Sequence, residues 1–155
     1  MTLREAIKRD HAVKGMPNSD RWLSFRFNRV WVPVFPLFVL PETVRDIFLI
    51  HDAHHLITGY GTDFRGEMEL NAWTLASGGY FFNGAPWWML LEGDVKTLLT
   101  VFLSLIWMPR KLLSAFRQGW RRHSLYALDV DTALEMDLED AKRYIASGVL
   151  PHESN

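Results

Sequence analysis

The sequence predicts an all-α protein, a single-domain helical bundle whose helices are joined by irregular connectors rich in proline and aromatic residues. Three observations carry this prediction. Apolar residues recur at helical spacing over most of the chain, those stretches are bounded by capping and glycine stop signals, and strand signals are nearly absent. At 155 residues the chain is long enough for one core and too short for two comfortable ones.

Each element follows from local chemistry. A short charged helix at the start is ended by Gly15, Pro17, Asn18 and Ser19. The stretch Val30 to Leu40, cut by Pro33 and Pro36, reads as an extended aromatic connector rather than a regular element. From Glu42 to Thr58 the pattern is helical: Pro41 stands at the start, Glu42 favours the positive end of the dipole, and Gly59 is placed to stop it. After the loop Gly59-Tyr60-Gly61-Thr62-Asp63, a second helix is expected from about Gly66 to Phe82, ending around Asn83-Gly84-Ala85-Pro86. A third runs from about Asp94 toward Trp107, where Pro109 either kinks it or opens a fourth. Two short helices close the chain, one after Asp131 and one from Asp137 to Ser147, the second capped by Asp137 and closed by Gly148.

Composition narrows the function classes. Seventeen basic against eighteen acidic residues give a net charge of −1, so no global field holds nucleic acid by its phosphates. The absence of cysteine excludes a disulfide framework and every thiolate metal site, leaving His, Asp and Glu as ligands. The first residues carry Glu5 and Asp10 and no apolar run, which fits neither a secretory signal nor a transit peptide and points to a cytoplasmic chain. The apolar run Thr97 to Met108 falls short of the roughly 20 residues a spanning helix needs.

Charge is nevertheless segregated. From Val95 to Ser124 every fully charged residue is basic, and from Asp129 to Asp140 every charged residue is acidic. Arg117, Trp120, Arg121 and Arg122 belong to a basic amphipathic stretch suited to an anionic membrane surface. The competing reading is a solvated face partnered by the acidic tail, which is also a candidate surface for a homodimer.

The segment that carries chemistry is His51-Asp52-Ala53-His54-His55, followed across the glycine-bearing loop by Glu67. His51 and His55, four apart, prolong the stripe of Val44, Ile47 and Phe48, so both imidazoles are expected to be buried. Burying two unpartnered imidazoles is costly, and the spacing is that of two ligands on successive turns. Asp52, on the flank, either reaches the same ion or orients a ring; His54 lies on the opposite flank; Glu67 returns alongside from the next helix. Two histidines and two carboxylates suit zinc, and a two-His, one-carboxylate subset suits iron or manganese. Each residue singly also fits a plain structural role: a core histidine, a solvated flank or an N-terminal helix acid.

The pattern HDxxH, eleven residues, then Glu, with TGYGTD between and GE at the end, closely resembles the motif of the coenzyme Q biosynthesis protein four family, and Leu125 to Arg143 is similar to that family's C-terminal pattern. The resemblance covers about two thirds of the chain, loosely outside the motif; the Pro33 to Leu40 and Pro86 to Met108 stretches carry no matching landmark, and the chain is shorter than typical members. It implies a helical, peripherally membrane-associated protein on the inner face of the membrane, with His51, Asp52, His55 and Glu67 ligating a divalent metal, usually zinc, with Fe, Mn and Mg as further candidates. It further implies a prenyl lipid or prenylated aromatic acid as substrate, oxidative decarboxylation at its ring C1 in ubiquinone assembly, and other quinone-biosynthesis enzymes as partners. An alternative it leaves open is a prenyl-lipid-binding scaffold with a structural zinc. Phe48, Trp73, Leu98, Phe102 and Leu105 are candidate lining for the lipid pocket.

Overall fold

The computed structural model describes residues 1–16, 22–27, 30–78 and 87–150, and helices dominate them as expected. In chain order these are α1 (Leu3–Val13), a hairpin of β1 (Trp22–Phe27) and β2 (Val30–Pro36), α2 (Glu42–Thr58), α3 (Phe64–Ala76), α4 (Trp87–Trp107), α5 (Pro109–Gly119), α6 (Val130–Glu135) and α7 (Leu138–Ser147), with 3₁₀ turns at Leu37–Val39 and Leu125–Ala127.

The caps explain the boundaries. Thr2 and Glu5 form a reciprocal capping box on α1, and Asp63, Asp129 and Asp137 each accept a backbone N–H in the first turn of α3, α6 and α7. Gly59 adopts φ 77°, the left-handed conformation that ends α2, and its N–H donates to the His55 carbonyl at 2.9 Å. Of the two roles open to Pro109, the structure shows the second: it opens α5, where its missing N–H costs nothing.

Three expected boundaries are corrected. The proline-bearing connector is a regular antiparallel hairpin, with Trp22 opposite Pro36 and Ser24 opposite Pro33. Its valines and aromatics favour a pleated strand, and in a two-stranded sheet each strand is an edge that tolerates proline, here helped by a register irregularity between Leu23 and Ser24. Helix α3 stops at Ala76 rather than Phe82, because Ser77 folds back on the Thr74 carbonyl and Gly78 takes φ 123°. The expected terminus at 83–86 lies outside the described residues, as do Pro17, Asn18 and Ser19. Helix α4 begins at Trp87, seven residues before Asp94, running through Gly93 at the modest cost of an internal glycine.

The core is drawn from nearly every helix: Leu3 and Ile7 of α1, Ile50 and Ala53 of α2, Leu70 and Trp73 of α3, Leu112 and Ala115 of α5, Leu134 of α6 and Ile145 of α7. Each fully buried large side chain contributes on the order of 1.5–3 kcal/mol. Helices α3 and α5 approach closely because residue 119 is glycine: a Cβ there would fall 2.2 Å from the Trp73 carbonyl oxygen. Helix α1 is tied to α2 by Arg4, whose guanidinium meets the Asp46 carboxylate at 3.1 Å.

Candidate metal centre

One turn of α2 and the first turn of α3 build the site. The loop between them packs against the start of α3 so closely that a Cβ on Gly66 would lie 1.9 Å from the Gly61 carbonyl oxygen. Only glycine permits that approach, which brings the adjacent Glu67 back over the histidine helix. One donor atom each from His51, His55 and Glu67 then lie within 4.8 Å of one another, a group that could hold a metal ion.

The donor geometry is specific. His55 is buried, and its Nδ1 stands 3.1 Å from the Tyr60 carbonyl. A carbonyl only accepts, so Nδ1 carries a proton and donates, and Nε2 is the ring nitrogen turned toward α3. That Nε2 faces Glu67 Oε1 at 3.1 Å, yet it is buried with no hydrogen-bond partner. His51 Nε2 lies 3.4 Å from the other Glu67 oxygen, and the two imidazoles meet edge to face with centroids 4.8 Å apart. Donors at about 2.0–2.2 Å from one zinc ion stand roughly 3–3.5 Å apart at near-tetrahedral or slightly smaller angles. The two carboxylate–imidazole separations fall in that span.

Electrostatics point the same way. Burial alone would lower the His51 pKa, but the carboxylates of Asp52 and Glu67 outweigh it and raise it to about 10. Burial would raise Glu67, and the facing His51 and His55 instead bring it down to about 2. Asp52 likewise is held well below the usual carboxylate range by His11 and His51 against the opposing effect of burial. The two carboxylates thus favour positive charge at this spot, which a protonated His51 supplies.

The remaining predicted residues are placed as follows. Asp52 lies outside the three-donor group; its Oδ2 meets His11 Nε2 at 3.0 Å and its Oδ1 faces His51 Nδ1 at 3.6 Å, the arrangement of an orienting residue rather than of a fourth ligand. His51 is less buried than expected, with 25% of its side chain exposed, whereas His55 is buried. His54 is a core histidine: its Nε2 accepts the Leu125 N–H at 3.1 Å between the rings of Trp73 and Tyr126, and burial, aided by His51 and His55, pushes its pKa down to about 3. His11 was not among the candidates; the signal for it was its place on the apolar stripe Leu3, Ile7, His11 of α1.

The five candidate lipid-lining residues divide. Leu98, Phe102 and Leu105 line an apolar groove of about 330 Å³ with Leu75, Leu113 and Phe116, between α3, α4 and α5. Phe48 is half-buried on α2, and Trp73 packs in the core against His54; neither lines that groove. A second cavity, about 470 Å³, borders His55 between Asp10 and Lys14 of the α1 end and the loop 59–63. Arg117, Trp120, Arg121 and Arg122 are all exposed at and just beyond the end of α5, and none of the three arginines forms an ion pair among the described residues. Among the described residues no helix is long and apolar enough to cross a membrane.

No protein-family model matches the chain, and no curated protein matches it. Fold and site together define a class: an all-α protein with a two-histidine, one-glutamate cluster able to hold a metal ion.

Proposed function

We propose that the protein is a metal-dependent enzyme of ubiquinone or prenylquinone biosynthesis, in which His51, His55 and Glu67 would hold a divalent ion and the substrate is a polyprenyl hydroxybenzoate reacting at ring C1. The observation that carries the metal is the convergence of one donor atom each from His51, His55 and Glu67 within 4.8 Å, with His55 Nε2 buried and 3.1 Å from a carboxylate oxygen. Zinc fits the nitrogen and oxygen donors best, with iron, manganese and magnesium as the alternatives. The choice of substrate rests on the HDxxH and Glu pattern and its resemblance to the coenzyme Q biosynthesis protein four family.

In the net reaction the bond from C1 to its carboxylate breaks, carbon dioxide leaves, and a C–O bond forms at C1. Water supplies the new oxygen and dioxygen accepts the two electrons and two protons released, so that the acid, water and dioxygen give the phenol, carbon dioxide and hydrogen peroxide. A bound divalent ion supplies Lewis acidity toward the substrate's carboxylate or phenolate. The chain's own groups do the rest: Tyr60 fixes the His55 tautomer through its carbonyl, and Glu67 neutralises the ion's charge. The exposed Arg117, Trp120, Arg121 and Arg122 provide a surface for peripheral attachment to anionic lipid, where a prenylated substrate and the neighbouring enzymes of the pathway reside.

One observation favours a second reading. The apolar groove lies among α3, α4 and α5 and includes none of the three donors, as in a scaffold that carries a prenyl lipid and keeps a structural zinc. Elemental analysis and lipid extraction of the purified protein, followed by turnover assays of the wild type and folded Glu67→Ala, separate the two. Bound metal and loss of turnover in the variant support the enzyme; full turnover in the variant overturns it; lipid without turnover in the wild type supports the scaffold.

A further inference from the structure

We infer that His11, on the first helix, is a positioning residue of the metal centre, acting through Asp52 on His51. The inference rests on the metal reading above and adds a layer to it. For His51 to present Nε2 to an ion, its Nδ1 must carry the proton, and an acceptor must face that proton to fix the ring. Asp52 Oδ1 is the group facing Nδ1, at 3.6 Å. Asp52 is a half-buried flank residue, and the aim of one carboxylate oxygen depends on what holds the other. His11 does so: its ring is buried, and Nε2 lies 3.0 Å from Asp52 Oδ2.

The brace is itself held. Arg4, seven residues before His11 on the same side of α1, grips Asp46 at 3.1 Å, so two contacts set the seam between α1 and α2, while Leu3 and Ile7 anchor α1 in the core. Asp52 therefore belongs to the orienting layer, and the chain of groups runs from His11 through Asp52 to His51, then to Glu67 and His55. An orienting partner of this kind changes metal affinity by about 10–100-fold when removed.

The test is a Co(II) titration of the full, metal-stripped chain, read by the visible absorption bands of the bound ion, with circular dichroism to verify folding. His11→Leu keeps the burial and removes the donor; it is expected to bind Co(II) about 10–100-fold more weakly, with shifted bands. His11→Gln, whose amide can still donate to Asp52, is expected to restore both affinity and spectrum, which a purely packing role would not produce. Wild-type affinity and spectrum in folded His11→Leu overturn the inference. Should that variant not fold, Asp52→Asn decides: weakened binding supports the brace and unchanged binding overturns it. A wild-type chain that takes up no Co(II) overturns the metal centre itself, whereas wild-type uptake with unchanged variants overturns only the part assigned to His11.

Discussion

Lowering the pH from 6.5 to 5.0 isolates one buried imidazole. His54 is fully buried with a pKa pushed down to about 3 from an ordinary value of 6.5, mainly by burial. The unfolded chain therefore takes up this proton first, and stability falls as pH drops below 6.5, continuing until about 3. At about 1.4 kcal/mol per pH unit, less near 6.5 where the unfolded ring is half protonated, the loss across this interval is roughly 1–2 kcal/mol. The carboxylates do not contribute there, since Glu67 titrates in the unfolded chain only near 4.5 and its folded pKa is lower still. His51, with its pKa raised to about 10, moves slightly the other way, its stabilisation being complete only below 6.5. His54→Gln removes the titration while an amide oxygen can still accept the Leu125 N–H. Urea denaturation in a chelator at both pH values should show the wild type losing roughly 1–2 kcal/mol more than the variant. Equal losses in the two proteins would refute the assignment of His54 as a buried neutral ring.

Other expectations follow from single contacts. Zinc at about one hundred times its dissociation constant should stabilise the wild type by about 2.7 kcal/mol, raising its melting temperature by roughly 5–10 °C, an increment that Glu67→Ala should lose in differential scanning calorimetry. In Gly119→Ala the new methyl meets the Trp73 carbonyl at 2.2 Å, so the urea midpoint should fall by an amount corresponding to roughly 1–3 kcal/mol, whereas the same change on an exposed helix face would be neutral or stabilising. Asp63→Ala removes the N-cap of α3 and its 2.9 Å bond from the Gly66 N–H, for a loss of about 1 kcal/mol by the same measurement. Replacing Arg117, Arg121 and Arg122 by Gln should abolish salt-sensitive sedimentation with anionic vesicles; retained binding would remove that surface from the proposal.

Much of this architecture was legible because helix ends are written in local chemistry. Gly59, Pro109, Asp137 and Gly148 act within one turn of themselves, and their elements start or stop where those residues dictate. The hairpin was not legible, because Pro33 and Pro36 signal a break to any local reading and are accommodated only once a partner strand and a register irregularity exist. The same distinction holds at the site. His51, His55 and Glu67 could be brought together from helical spacing and one tight loop. The turning of Asp52 toward His11 and the seating of His54 on the Leu125 backbone depend on docking between distant parts of the chain, which periodicity within one helix does not encode.

That seating has a consequence for how the molecule is made. All three candidate donors are synthesised early, but the backbone that receives His54 lies 71 residues further along. Until the ribosome has delivered it, the helix bearing the two histidine donors lacks the backbone contact at its back, so a chain interrupted before residue 125 would carry both histidines on a helix not yet locked in place.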